Sequence, residues 1–598
     1  MLTPATIFFK SKFQLVVLIL IAIGLNVNTL FHEYALDDIL VLTENNFVKK
    51  GINGIPEILS SDYVSGYSTE KNIIPGARYR PLALILFALE YQFFGADPMV
   101  SHLMNILLFG LLVAMLYQLL QAQVFREKNE NLAFLSTLIF AVHPIHTEVI
   151  ANVKSRDEIL AFLLMIVSLS VFLRFTKNKK TWLFILSMFC YLLALLSKES
   201  AAIFVGVIPL VSYFFYHLSI KKSIFISVPF VFVFIFYMLL RYFVVGFAHY
   251  PVTDITNAPF LYASVEESFA TKIFILSKYL WLQVFPFSLT TEYGYNQIPY
   301  LQINSHEFIL SMVLLLSLSF YSVYTIKKRS VISFCIIYYF VAISVAGNFI
   351  IDLGITIGER MLFVPSFAFC IAFAYLILNF NSRIYAAILV FLVLISFSIK
   401  TIVRNSEWKN NETLFLADVV TSPNSARMNL YACETYIIKA NKENNLQTKD
   451  GFLKKAIYYG EQSLKIHSKS ADAYLRLGFA YFHLYDYFKA ANQWILAKKI
   501  DPKDPDVLKW TQYLSQGLYM QGNGYSEKGL IDDAIMCYLK STQLNESNAE
   551  AWYNLGGNYF LKNDSNTATF AWSKVKVLKP EHRFKKEDFI TDFKMKKY

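Results

Sequence analysis

Two adjacent carboxylates, Asp37-Asp38, stand just past the first apolar run, and an Arg78-Tyr79-Arg80-Pro81 block closes the polar loop that they open. Adjacent carboxylates repel, so one titrates high unless a cation or metal lies between them. A carboxylate at a membrane surface can take the proton of an incoming hydroxyl, and a guanidinium can neutralise a phosphate through paired hydrogen bonds. The plainer reading of Asp37-Asp38 is a solvated helix start, since Asp is a favoured N-cap. Other polar clusters are His102 with Asn105, the run His143-Pro144-Ile145-His146-Thr147-Glu148 followed by Lys154 and Arg156-Asp157, Lys198-Glu199, and Glu359-Arg360. His143, His146 and Glu148 match no standard zinc spacing, so no metal set is assigned there. The Asp37/Asp38 loop is the one place where a divalent metal is admitted, and no other cofactor is implied. Lys198-Glu199 and Glu359-Arg360 read equally well as ion pairs that fix helix ends. There is no GxxxxGK[ST] and no GxGxxG opening a helix, so nothing points to a nucleotide site, and no nucleic-acid partner is expected.

The elements that carry these residues are membrane spans. Of 598 residues 55% are hydrophobic and 17% charged, against roughly 25% charged in an average soluble domain. That excludes disorder and an all-soluble chain. Before residue 403 the apolar residues fall into runs of about 18–22, the length that crosses a hydrocarbon core. Eleven spans are predicted, near 13–31, 100–120, 132–150, 159–175, 181–196, 201–218, 223–244, 307–326, 331–351, 361–380 and 384–402. The first reads as an uncleaved anchor, because no A-x-A-type cleavage site follows it. Alternate short connections are basic, through Arg126 and Lys128, Lys177, Lys179 and Lys180, Lys221 and Lys222, Lys327, Lys328 and Arg329, and Arg383. The positive-inside rule puts these in the cytoplasm and every polar cluster above on the outer side. The pattern requires 82–94 and 271–287 to be interfacial or re-entrant, and the odd count puts the tail outside. The five Cys show no metal or CxxC spacing and read as small buried hydrophobes.

After residue 403 the chain is soluble in composition and repeats at a period of 34. Tetratricopeptide (TPR) positions are met in 471–504 by Tyr474, Gly478, Tyr481, Ala490, Trp494 and Pro502, in 515–548 by Gly522, Tyr525, Ala534 and Tyr538, and in 549–582 by Trp552, Gly556, Tyr559, Ala568, Trp572 and Pro580. Small residues let paired helices approach while aromatic ones fill the gap. The expected organisation is a membrane domain at 1–402 with its first outer loop at 32–80, a connector at 403–424, TPR repeats over 425–582 and a tail at 583–598. Residues 425–470 read as a degenerate first repeat. The fold class is all-α, a polytopic membrane domain followed by an α-solenoid whose arc suits an extended or helical polypeptide; a spacer or dimerisation arm is the other reading.

The segments Leu36-Asp37-Asp38, Arg78-Tyr79-Arg80-Pro81-Leu82, His102-Leu103-Met104-Asn105, Phe140 to Glu148 with Arg156-Asp157, Ser197-Lys198-Glu199, Gly358 to Ser366 and Arg404 to Glu412 follow one another in a known order. Together they resemble the transmembrane and tetratricopeptide-repeat-containing (TMTC-like) protein O-mannosyltransferases. The resemblance implies a GT-C glycosyltransferase fold, a polyprenyl- or dolichyl-phosphate-linked sugar as donor, mannose by preference, and Ser/Thr hydroxyls of an acceptor polypeptide held on the TPR arc. The region 245–306 departs from the family pattern, and the composition, rich in Lys, Asn and Ile, suggests a bacterial member.

On that reading Asp37 accepts the hydroxyl proton during inverting attack and Asp38 orients acceptor or sugar. Arg80, Arg360 and His143 or His146 hold the donor phosphate, Arg156 is a further candidate, and Tyr79, His102, Asn105, Glu148, Lys198, Glu199 and Glu359 support them. The chain would be integral to a bacterial inner membrane with its site and repeats in the periplasm, or to the ER membrane, facing the lumen, if eukaryotic. Competing readings are an oligosaccharyltransferase using a polyprenyl-linked glycan, a non-catalytic membrane TPR scaffold, and a transporter, which would place its polar residues in mid-span.

Overall fold

A computed structural model describes residues 4–67, 78–125, 130–246, 255–349 and 354–580. Arg126, Lys128 and the tail at 583–598 lie outside the described residues. Every regular element among those described is a helix, and the chain divides into two compact units, Met1–Pro423 and Asn424–Tyr598.

Six helices of the first unit are long and apolar enough to cross a membrane: Ser11–Phe31, Pro98–Val124, Val153–Asn178, Ile220–Val245, His306–Lys328 and Arg383–Glu407. Their exposed faces carry Phe243, Leu310, Phe320 and Ile384, side chains that hydrocarbon and not water would solvate. A seventh crossing exists only as the bent pair Asn131–Val142 and Pro144–Ala151, which turn 54° against each other. Pro144 causes the break, since it has no N–H to donate and its ring clashes with the preceding turn. Thr401 of the last long helix donates to the Val142 carbonyl at 2.9 Å, pairing a group beside the break.

The expected count of eleven is not met by length. Thr181–Ser197, Glu199–Phe215, Val331–Ile343 and Ser366–Leu378 have 10–17 residues, and a 13-residue helix rises only about 20 Å. The physical reason is the same in each case: one end gives way to 3₁₀ turns or irregular backbone that carries polar residues, Lys198 and Glu199 in one place, Glu359 and Arg360 in another. Pro81–Phe94 is likewise too short to cross, at 14 residues.

The helix Asn411–Thr421, expected in a connector, belongs to the first unit. Its Asp418 meets Arg404 of the last long helix at 2.6 Å, both side chains fully buried.

The second unit is a run of helical hairpins: Ala426–Lys442 with Leu446–Ile466, Ala471–His483 with Tyr487–Ile500, Pro505–Glu527 with Ile531–Leu544, and Ala549–Leu561 with Ser565–Leu578. The insertion of the first repeat lengthens the start of its second helix. Close approach fixes the small residues: a Cβ on Gly478 would lie 2.1 Å from Trp494 Nε1, and one on Gly556 2.3 Å from Trp572 Nε1. Each Trp donates to a carbonyl nineteen residues earlier, Leu475 at 3.0 Å and Tyr553 at 3.1 Å, so one packing device recurs.

Candidate active site

Asp37 is the N-cap residue of a four-residue helix, Asp38–Val41, but its side chain makes no cap hydrogen bond. Asp38 is fully buried; its carboxylate accepts the backbone N–H groups of Ala35 at 3.0 Å and Lys154 at 2.7 Å. Burial, then the neighbouring Asp37 charge, pushes it up to about 7 despite those hydrogen bonds. Asp38 therefore ties the Asp turn to the loop that opens the Val153–Asn178 helix. Asp37 is the exposed member, 41% accessible, with the Lys154 ammonium 3.3 Å from Oδ2. Burial alone would raise Asp37, but Lys154, Arg360 and Arg78 outweigh it and hold the carboxyl below its ordinary range.

The turn is held from behind by the segment after the last long helix. Leu36, at φ +50°, donates its N–H to Asn411 Oδ1 at 2.8 Å, and Glu33 N–H donates to the Lys409 carbonyl at 2.9 Å. Trp408, fully buried, packs with Ala35, Ala151 and Leu414. Asn405 donates to the Leu25 carbonyl and to Asn26 Oδ1 at the end of the first long helix.

Around Asp37 the predicted cations divide into two kinds. Arg360 binds Glu148 through Nη1 at 2.7 Å and through its backbone N–H at 2.9 Å, and its side chain remains 20% exposed. Arg78, partly buried, makes no side-chain bond among the described residues, while its charge faces Asp37, Arg360, Arg80 and Glu199. Both guanidinia keep N–H groups that an anion could take. Arg80 commits three of its five N–H donors to carboxylates: Nη1 binds Asp157 at 2.7 Å, and Nε and Nη2 bind Glu199 at 2.7 and 2.5 Å. Lys198 binds Asp157 at 3.2 Å and Glu158 at 2.8 Å. Arg156, 1% exposed, binds Glu90 at 2.7 Å, Asn105 Oδ1 at 2.8 Å and the Ser101 carbonyl at 2.9 Å, with its guanidinium 4.3 Å from the Phe87 ring centroid.

Neither adjacent pair is an ion pair. Lys198 and Glu199 bind different partners, and Glu359 turns away from Arg360 to accept the Thr290 N–H and the Tyr293 hydroxyl, the latter at 2.8 Å. Burial lifts Glu359 to about 8, with the Glu148 charge adding to it and Arg404 opposing. His143 and His146 are each 1% exposed, and the bonds their rings make are to protein groups. His143 Nε2 meets the Gln283 carbonyl at 2.9 Å while its Nδ1 accepts from Ile145 N–H, and His146 Nε2 lies 2.8 Å from Ser366 Oγ. Phe140, Phe363 and Phe397 surround them, so the pair locks the broken helix. His102 and Asn105 hold backbone carbonyls, of Glu33 and of Ile150 and Asn152, and Tyr79 donates to the Leu59 carbonyl at 2.9 Å.

The Asp loop does not fit a divalent metal: Asp38 is saturated by backbone donors and an ammonium already lies at Asp37. Among the described residues no three His, Cys, Asp or Glu side chains converge on one point. Three residues gain weight that sequence reading did not give them: Lys154, Arg78, and Tyr63, whose buried hydroxyl has no partner among the described residues and whose ring lies 5.4 Å from the Arg80 guanidinium.

Further into the unit, a small apolar cavity is lined by Phe162, Met165, Val207, Phe334, Tyr338 and Phe367. In the second unit a concavity is lined by Phe479, Phe482, Trp510 and the Arg476–Glu434 ion pair.

Comparison with known proteins puts this geometry in context. The human protein O-mannosyl-transferase TMTC1 is 26% identical over 510 residues, 75% of this chain and 54% of the relative. Human TMTC3 is 22% identical over 93% of the chain and 67% of the relative, and the Caenorhabditis elegans protein O-mannosyl-transferase F38B6.6 is 25% identical over 69% and 59%. The chain is a homologue of the TMTC protein O-mannosyl-transferases. It spans between about half and two thirds of the length of these curated relatives. The TPR repeat family matches residues 522–562. Among solved structures, the crystal structure of MamA is 20% identical over 28% of the chain and 87% of that protein, with a TM-score of 0.17, which carries no argument about the fold.

Proposed function

We propose that this protein is a membrane GT-C glycosyltransferase that moves mannose from a polyprenyl-phosphate carrier to Ser/Thr hydroxyls of exported polypeptides, with inversion. The observation that carries this reading is Asp37, an accessible carboxylate on the loop after the first long helix, faced by guanidinia that keep free donors. Outside the cytoplasm no nucleotide-sugar pool exists, and a lipid-phosphate sugar brings its own leaving group. A base for the hydroxyl and cations for the phosphate then suffice, without a strong general acid. Asp37 takes the acceptor's proton as its oxygen attacks the anomeric carbon from the face opposite the phosphate. Arg360 and Arg78 meet the charge that develops on the phosphate as the glycosyl bond breaks. Arg80, Asp157, Glu199 and Lys198 form the frame that holds this face, and Arg156 with Glu90 and Asn105 forms a second.

The exposed apolar faces of the long helices suit the lipid tail. The aromatic concavity of the second unit, with its ion pair, suits a segment of acceptor chain and raises its effective concentration. The protein would sit in a bacterial inner membrane with Asp37 in the periplasm, or in the ER membrane with Asp37 in the lumen. The test is transfer by purified protein. Incubation with polyprenyl-phosphate mannose and a Ser/Thr peptide should add single hexoses with the anomeric configuration opposite to the donor's. Transfer from a lipid-linked oligosaccharide alone would replace this reading with an oligosaccharyltransferase, and transfer from neither would leave a scaffold.

A further inference from the structure

Lys154 is the cation in direct contact with the base, and the chemistry above gives it no task. Its ammonium lies 3.3 Å from Asp37 Oδ2, its side chain is 6% exposed, and its backbone N–H is fixed by Asp38 at 2.7 Å. An ammonium in that position takes one acceptor site on Oδ2 and, by its charge, makes the carboxylate a poorer base. Arg78 and Arg360 also face Asp37, and Asp157, Lys198 and Arg360 face Lys154, so the ammonium has charged neighbours on more than one side. Its four-carbon stem turns freely at the tip, whereas Glu148 fixes the fork of Arg360.

We propose that Lys154 is a phosphate-binding switch: it pairs with Asp37 while the donor is absent and moves to the donor's phosphate when it binds, unmasking Asp37 for the acceptor hydroxyl. This rests on the reading of Asp37 as the base. In the transfer step the acceptor O–H bond breaks and its proton passes to Asp37, and the acceptor oxygen bonds to the anomeric carbon. The anomeric carbon–oxygen bond to phosphate breaks, leaving its electron pair on the phosphate oxygen. Lys154 then faces the second negative charge of the lipid phosphate. The switch orders the substrates, because acceptor activation follows donor binding.

A double-mutant cycle on donor affinity tests it, with a short-chain polyprenyl-phosphate mannose and the full chain in detergent. Asp37→Asn, near-isosteric and neutral, should abolish transfer yet bind donor about fivefold tighter or better, because the ammonium is no longer held back. Lys154→Met should weaken donor binding by about tenfold, the cost of a charge-assisted bond to phosphate. In the Lys154→Met background Asp37→Asn should give no tightening, and Lys154→Arg should recover part of the affinity. Unchanged donor affinity in Asp37→Asn, or tightening that persists without Lys154, would overturn the switch while leaving Asp37 as base. Transfer that survives Asp37→Asn would overturn the base itself. If Lys154→Met does not fold, Lys154→Gln completes the cycle.

Discussion

At the scale of single residues, the tertiary fold and not the neighbouring position in the chain sets each charge's partner. Arg360 stands next to Glu359 in the chain, yet it binds Glu148, 212 residues away. The reason is geometric: successive residues of a 3₁₀ turn point in different directions, and only the tertiary fold brings a partner to each. For His143 and His146 the proline break between them turns both rings inward onto phenylalanines. The same distinction separates two arginines that look equivalent in sequence. Arg360→Lys should lower turnover by more than about tenfold, through loss of a charge-assisted bond worth roughly 1.5–3 kcal/mol, with little change in thermal unfolding. Arg80→Lys breaks a buried three-point clamp on Asp157 and Glu199 and should lower the unfolding midpoint first. Steady-state kinetics and thermal melting of both variants check this; an unchanged melting temperature in Arg80→Lys alongside lost turnover would return Arg80 to the phosphate.

At the scale of elements, apolar runs and the repeat period were legible because both are local. Helix lengths were not, because polar outer ends unwind where they meet one another. The segment Arg404 to Glu412 is similar to the family pattern without any visible chemistry; the structure gives it a task, holding the Asp37 turn through Trp408, Asn411 and Asn405. Glu359 serves the same region. It joins Thr290 and Tyr293, while Asp418 receives the Thr291 N–H and hydroxyl, each at 2.7 Å. With a folded-state value of about 8 against an ordinary one near 4.5, Glu359 binds more protons folded than unfolded in that window. Stability is therefore fully present below about pH 4.5 and lost as pH rises through 8. Glu359→Gln keeps the acceptor oxygen and removes the ionisation, so the fall in melting temperature between pH 5 and 8 should flatten. An identical slope in the variant would mean that Glu359 ionises as an ordinary carboxyl.

At the scale of the whole molecule, the chain divides into compact units at Pro423, and the proposed function gives transfer to the first and acceptor capture to the second. A chain ending after Pro423 retains Arg404–Asp418 and the Asp37 turn, so it should still bind donor and glycosylate a short Ser/Thr peptide at high concentration. Transfer to a full-length protein should fall sharply, since only effective concentration is lost. Equal loss with both acceptors, donor binding intact, would mean that the repeats complete the active site. The topology has its own test: the five native cysteines are all buried, so single cysteines at the exposed positions Ser60 and Gln447 report cleanly. Both should react with an impermeant reagent in intact cells; reaction of one only after permeabilisation would put the repeats and Asp37 on opposite sides of the membrane.

The central claim is that Asp37 is the base for glycosyl transfer to a protein hydroxyl. Its most direct test is single-turnover transfer from polyprenyl-phosphate mannose to a Ser/Thr peptide by wild type and Asp37→Asn, each shown to be folded by melting. The account predicts transfer in the wild type and none detectable in Asp37→Asn. Wild-type rates in a folded Asp37→Asn protein would contradict it.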